Sequence, residues 1–240
     1  MAEGAKSRKR VIYQRTRAGY VFGIAGNLGK LIRMYGETDK ESLHEYSAFY
    51  ERHVGPFRFR SNRVLEIGVG GDESIRPGGS LRIWRDYLVR SIILGLDIHE
   101  KEVSLGSRVK FYRGDQSEPD DLDGAIALLG GVPNIVIDDG SHVGDHIWTT
   151  FAHIWPILPA NSVYVIEDLS TSYYPSYGGG IPRPHRTGVG LLSDLIDAVQ
   201  ARDPTFHRRP SWGDGPTCDA LGAAELHIYP GIAFLVKRDF

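Results

Sequence analysis

The chain has 240 residues, which is enough for one large α/β domain with a complete core or for two small domains. A formal net charge of −2 excludes an overall field that would hold a nucleic acid, and a single cysteine, Cys218, excludes a disulfide framework and a thiolate zinc site. No apolar run approaches the ~20 residues of a membrane span, and the N-terminus lacks the apolar stretch of a signal peptide, so we expect a cytoplasmic protein without a membrane span.

The first part of the chain combines a basic segment with a predicted helical cap. Residues 6–17 carry six basic side chains and no acidic one. We interpret this arm as a solvated tail or as a contact between subunits, and we expect a homo-oligomer. Residues 1–61 are predicted to form the arm and the cap, and residues 62–240 the main domain.

From residue 62 onward, short apolar runs alternate with segments of helical periodicity. Strands are predicted at 63–70, 91–99, 109–115, 134–140, 162–169, 224–230 and 232–239. Helices are predicted near 80–88, 120–129, 144–158 and 190–200. This order predicts an α/β fold with a doubly wound, mainly parallel, seven-stranded sheet. Pro230 and Gly231 join the last two runs directly, which predicts an antiparallel C-terminal hairpin.

Four of the predicted strands end in carboxylates. They are Asp97, Asp115, Asp138 with Asp139, and Glu167 with Asp168. In a doubly wound sheet, ligands bind outside the carboxyl ends of the strands. The acidic strand ends therefore indicate a binding site.

The first strand ends in a glycine turn, EIGVGG at 66–71. Glu73 stands where a dinucleotide fingerprint has its third glycine and would repel a pyrophosphate, which disfavours a nicotinamide dehydrogenase. A nucleotide-like ligand without phosphates fits better. Asp97 is placed to accept both ribose hydroxyls, and Asp115 with Gln116 to read an adenine amino group.

Several motifs resemble those of known methyltransferases. LEIGVGG (65–71), LGLDIH (94–99) and GDQS (114–117) resemble the binding motifs of class I S-adenosylmethionine (SAM) methyltransferases. Together with GDQS, YGETDK (35–40), PGGSLRIW (77–84), IDDGSH (137–142) and VIEDLSTSY (165–173) resemble the metal-dependent O-methyltransferases of deoxysugars on natural products. The family usually has GTDK where this chain has GETDK. The resemblance implies SAM as cofactor, bound through Thr38, Glu66, Gly68, Ser80, Asp97, Asp115, Gln116 and Asp138.

The same resemblance, and the chemistry of the residues, imply a metal and a base. Asp139 and the pair Glu167 and Asp168 end neighbouring strands ~4.8 Å apart and can converge on one Mg²⁺. His142 is the predicted general base for the acceptor hydroxyl. Asp138 points away from Asp139 along the strand, so we assign it to the cofactor side.

The Gly-, Pro- and Tyr-rich stretch at 173–190 is predicted to be a loop over the strand ends that contacts a sugar or glycoside. Tyr173, Tyr174 and His185 are its candidate substrate contacts. Two alternatives remain open: a metal-dependent methyltransferase of catechols or phenols, and a SAM-binding protein without turnover. The latter needs neither a base nor a cation.

Overall fold

The computed structural model describes residues 27–36, 38, 40, 45–70, 77–201, 203, 205 and 223–238. The basic arm at 6–17 and Glu73 lie outside these residues. The helices are α1 (Leu28–Tyr35), α2 (Ser47–His53), α3 (Gly79–Tyr87), α4 (Pro119–Leu129), α5 (Gly144–Ile154) and α6 (Gly188–Gln200). The strands are β1 (Arg63–Ile67), β2 (Ile92–Asp97), β3 (Val109–Arg113), β4 (Ile135–Asp138), β5 (Val163–Ile166), β6 (Ala223–Tyr229) and β7 (Ile232–Arg238).

The seven strands form one sheet in the order β3-β2-β1-β4-β5-β7-β6. The first five strands are parallel, and β7 runs antiparallel to both β5 and β6. The doubly wound sheet and the antiparallel C-terminal hairpin are thereby confirmed. The chain moves outward from β1 to β3 and then returns to β4 on the other side of β1. This reversal opens a crevice at the carboxyl ends of β1 and β4.

The register aligns the ends of the central strands. Ile67 of β1 lies opposite Asp138 of β4, and Asp138 lies opposite Ile166 of β5. The backbone N–H of Asp139 donates to Ile67, and that of Glu167 donates to Asp138. The acidic residues that follow β4 and β5 therefore leave the sheet side by side.

Helices cover both faces of the sheet, which explains why the strands read as continuous apolar runs. On one face the core includes Leu122 and Leu129 of α4, Phe151 and Ile154 of α5, and Leu191 and Leu195 of α6. On the other face it includes Leu28 and Leu31 of α1, Tyr50 of α2, and Leu81 and Trp84 of α3. The N-terminal helices thus share one core with the sheet. The boundary predicted between residues 61 and 62 stays a prediction.

The helix α5 differs in detail from the pattern-based expectation. The helix expected at 144–158 ends at Ile154, and a 3₁₀ turn follows at Trp155–Ile157. Pro156 lacks a backbone N–H and therefore cannot continue the helix.

Within the described parts of the chain, no helix combines the length and apolar character that crossing a membrane requires.

Candidate active site

A cavity of about 260 Å³ lies at the carboxyl ends of β1, β2, β3 and β4. Four of the predicted cofactor residues line it, namely Gly68, Asp97, Asp115 and Gln116. Gly140, Ser141 and His146 close its opposite side. The glycine turn and two of the acidic strand ends thus meet around one space.

Asp97 and Asp115 are oriented by backbone donors beside this cavity. Asp97 accepts hydrogen bonds from the N–H of Val69 at 3.0 Å and of His99 at 2.9 Å. Asp115 accepts from the N–H and the hydroxyl of Ser117 at 2.8 and 2.7 Å. These bonds lower the pKa of Asp115, so its carboxylate stays charged.

Gln116 lines the cavity, and its amide group is hydrogen-bonded to the protein. Its amide donates to Asp138 at 3.0 Å and accepts from the N–H of Ser141 at 2.7 Å. The side chain therefore fixes the loop after β4 against the end of β3. An adenine contact by Gln116 stays a prediction.

The other predicted cofactor residues do not line this cavity. Glu66 is fully buried and accepts from Ser80 at 2.9 Å and from the indole N–H of Trp84 at 3.0 Å. Asp138 is buried too and accepts from the hydroxyl of Tyr164 at 3.0 Å. Burial raises the pKa of both carboxyls to about 7. The Thr38 hydroxyl lies 3.4 Å from the N–H of Lys40.

Three of the predicted catalytic and metal residues come together next to the cavity. Asp139, His142 and Asp168 each offer a ligand atom, and these atoms lie within 4.8 Å of one another. Nε2 of His142 is 3.9 Å from Oδ1 of Asp139 and 3.7 Å from Oδ2 of Asp168. All three side chains are partly open to solvent.

The backbone at two members of this cluster is unusual. His142 has φ of 57° and Asp168 has φ of 53°, in the left-handed region that non-glycine residues seldom adopt. Such conformations concentrate at functional sites, where the surrounding structure enforces them. Here they turn an imidazole and a carboxylate toward each other from two different loops.

Glu167 lies outside this cluster. It is buried, and its Oε1 accepts from Nζ of Lys40 at 2.6 Å and from the hydroxyl of Tyr50. The same Nζ donates to Oδ2 of Asp139 at 2.5 Å. Burial and repulsion by the negative charge of Asp139 both raise the pKa of Glu167.

Sequence reasoning missed Lys40, Tyr46 and Tyr50. The Tyr46 hydroxyl donates to Oδ1 of Asp168 at 3.1 Å, so each of these three residues holds a carboxylate of the site. Lys40 belongs to the YGETDK motif, which was the available signal, whereas the two tyrosines carry no local pattern that separates them from core residues.

The candidate substrate residues fall into two groups. Tyr173 and Tyr174 are exposed on the 3₁₀ turn that follows Asp168. Nε2 of His185 lies 2.9 Å from Oδ1 of Asp194 of α6, within hydrogen-bonding distance. Tyr177, in the same loop, has its ring 6.3 Å from that of His142 in an edge-on arrangement.

The known proteins that we report as similar to this chain are O-methyltransferases. The chain is 41% identical over 203 residues to the 8-demethyl-8-alpha-L-rhamnosyl tetracenomycin-C 2'-O-methyltransferase of Streptomyces olivaceus, covering 84% of this chain and 52% of the relative. It is 40% identical over 218 residues to the mycinamicin VI 2''-O-methyltransferase of Micromonospora griseorubida, covering 88% and 52%. No family model matches the sequence.

A solved methyltransferase structure is also similar to this chain. MycE methyltransferase in complex with Mg, SAH and mycinamycin VI superposes with a TM-score of 0.75 at 35% identity, covering 88% of this chain and 54% of that one. The chain has the class I methyltransferase fold and is a homologue of these sugar O-methyltransferases. The resemblance seen in the motifs is thereby confirmed. The chain spans about half the length of the curated relatives it matches.

Proposed function

We propose that the chain transfers a methyl group from SAM to a sugar hydroxyl, with Mg²⁺ as metal cofactor. The observation that carries this proposal is the convergence of Asp139, His142 and Asp168 directly beside the cavity. Gly140 and Ser141, which separate Asp139 from His142 in the sequence, line that cavity. The named activities of the relatives support the same reaction.

The residues present fit the proposed metal. Carboxylate oxygens are the ligands that Mg²⁺ prefers. Oδ1 of Asp139 and Oδ2 of Asp168 both lie within 4 Å of Nε2 of His142. Glu167 is proposed as the third ligand, although its Oε1 is bonded to Lys40 and Tyr50.

The cavity also fits the proposed cofactor. Gly68 gives a ligand close access to the backbone at the end of β1, and Asp97 presents a carboxylate at the end of β2. Asp115 with Gln116, and more indirectly Thr38, Glu66, Ser80 and Asp138, complete the proposed SAM site. Of the last four, Glu66, Ser80 and Asp138 are held by buried hydrogen bonds, and Thr38 by a part-buried one.

In the proposed chemistry, His142 accepts the proton of the sugar hydroxyl. When bound, SAM supplies the methyl group, and Mg²⁺ stabilises the negative charge that develops on the acceptor oxygen. His142 accepts the hydroxyl proton at Nε2, and the carboxylates of Asp139 and Asp168 stabilise the resulting imidazolium. Tyr173 and Tyr174 offer exposed rings for a sugar face. His185, in the same loop, is also proposed to contact the substrate.

The proposal also covers the oligomeric state, the absence of a nucleic-acid partner and the cellular compartment. The basic residues at 6–17 support a homo-oligomer in which this arm contacts another subunit. The modest net charge argues against a nucleic-acid partner. A single cysteine is in keeping with a reducing, cytoplasmic compartment.

The proposal is tested by product analysis. The protein is incubated with SAM, MgCl₂ and a panel of rhamnosides, other glycosides and catechols, and products are read by mass spectrometry. We expect methylated glycosides, no product in EDTA, and recovery when Mg²⁺ is restored. Transfer that survives EDTA would remove the metal from the proposal, and methylation of catechols alone would favour the alternative enzyme class.

A matched pair of histidine variants tests the base. His142→Ala should lower kcat by about 10²–10⁴-fold while the affinity for SAH stays unchanged. His153→Ala is the control, because His153 lies on α5 in an ion pair with Asp123, outside the site. An equal fall in both variants would contradict the role of His142.

A further inference from the structure

Lys40 is a charged side chain that the proposed chemistry does not use. The residue is 1% exposed. An ammonium group removed from water is strongly destabilising unless carboxylates compensate it. Buried Lys40 therefore needs negatively charged neighbours.

Three carboxylates surround the Lys40 ammonium. Nζ lies 2.5 Å from Oδ2 of Asp139, 2.6 Å from Oε1 of Glu167 and 3.9 Å from Oε1 of Glu66. Lys40 therefore acts as a cation inside the acidic cluster. Asp139 and Glu167, its two close partners, are also two of the three proposed metal ligands.

The geometry separates Glu167 from the other proposed ligands. Asp139 and Asp168 each have an oxygen near His142, whereas Glu167 does not belong to that group. If a metal took all three groups that are already together, His142 would be one of its ligands and would lose its role as base. Binding through Oε1 of Glu167 leaves the imidazole available but requires Lys40 to release that oxygen.

We propose that Lys40 is a resident counter-cation that competes with the divalent ion for Glu167 and Asp139. The inference rests on the proposed function, since it concerns the same metal. Lys40 holds the two carboxylates together in the metal-free protein, and loading of the metal displaces its ammonium from Glu167. Lys40 is thus a positioning residue that sets the metal affinity of the site.

The test compares metal binding by the 240-residue protein and two lysine variants. Mn²⁺ is titrated calorimetrically into wild type, Lys40→Met and Lys30→Met. Methionine keeps the length of the side chain without its charge, and Lys30 is an exposed residue of α1 that gives the same change in net charge. We expect Lys40→Met to bind Mn²⁺ at least about tenfold more tightly than both other proteins.

Thermal unfolding provides a second readout. Without metal, Lys40→Met should melt below wild type, because Glu167 and Asp139 lose their counter-ion. Saturating Mn²⁺ should raise its Tm by more than it raises that of wild type. Equal or weaker Mn²⁺ binding by Lys40→Met would overturn the competition and would leave the proposed reaction intact.

Glu167→Gln keeps the inference testable if Lys40→Met does not fold. This variant leaves Lys40 paired with Asp139, and we expect it to bind Mn²⁺ at least about tenfold more weakly than wild type. Unchanged affinity would show that Glu167 is not a ligand and would overturn the inference. Absence of Mn²⁺ binding in every protein, wild type included, would overturn both the inference and the metal part of the proposed function.

Discussion

Gly68 shows how strongly one residue constrains the site. Its φ is 84°, and a Cβ atom built there would lie 1.9 Å from the backbone oxygen of Asp139. Gly70, two residues later, also has a positive φ, of 59°, but in the described part of the chain no atom outside its immediate neighbours lies within 4 Å of such a Cβ. The first glycine therefore permits a close backbone contact between the ends of β1 and β4, whereas the second only permits a turn.

This difference predicts unequal effects of two alanine substitutions. Gly70→Ala should cost only the conformational penalty, about 1–2 kcal/mol. Gly68→Ala should cost at least ~2 kcal/mol more and should weaken SAH binding, because the backbone of Asp139 must shift. Urea unfolding and SAH titration measure both effects. Equal losses in the two variants would show that contact with Asp139 is unimportant.

At the scale of elements, the acidic strand ends could be predicted because they depend on local patterns. A buried strand is recognisable from its apolar run, and parallel neighbours bring their carboxyl ends to one edge. That reasoning predicted that Asp139, Glu167 and Asp168 converge, and the structure places Asp139 and Asp168 near each other. It could not predict that Glu167 lies apart from them, because adjacent residues leaving a strand point in different directions, and Lys40 and Tyr50 determine where this carboxylate lies.

The packing of α2 on the C-terminal hairpin creates a second environment that sequence patterns do not reveal. His53 of α2 lies against Phe234 with ring centroids 4.6 Å apart and contacts the hydroxyl of Tyr229 at 2.9 Å. The groups that affect its charge are His227, Arg52 and Glu225. Burial, followed by repulsion from His227 and Arg52, lowers the pKa of His53 from 6.5 to about 4.

This shift predicts how stability depends on pH. Between about pH 6.5 and 4 the unfolded chain binds a proton at His53 that the folded chain does not, so unfolding becomes easier as the pH falls. The loss is complete below about pH 4. At about 1.4 kcal/mol for each pKa unit the full shift corresponds to about 3.5 kcal/mol, and screening by solvent reduces this to roughly 1–3 kcal/mol. In urea unfolding at a series of pH values, His53→Gln should flatten this part of the curve. His99→Gln, at an exposed histidine, should retain it, and a retained slope in His53→Gln would contradict the assignment.

For the whole molecule, the sequence order was sufficient to predict a sheet with two covered faces but not the contacts that close the site. Lys40 reaches Asp139 and Glu167 across 99 and 127 residues of sequence. Such long-range pairs depend on how α1 and α2 dock on the sheet, which no local periodicity encodes. The N-terminal part of the chain therefore contributes to the candidate site, since Tyr46 and Tyr50 also hold its carboxylates.

Because the cavity joins the ends of four strands, a ligand bound there should stabilise the fold as a whole. SAH at one hundred times its Kd should add about 2.7 kcal/mol to the free energy of unfolding. For a domain of this size that corresponds to a rise in Tm of roughly 5–10 °C. Asp97→Asn should reduce the rise at the same SAH concentration, since Asp97 lines the cavity, whereas Asp197→Asn on an exposed part of α6 should not. Differential scanning calorimetry measures these shifts, and an undiminished rise in Asp97→Asn would show that this carboxylate does not contact the ligand.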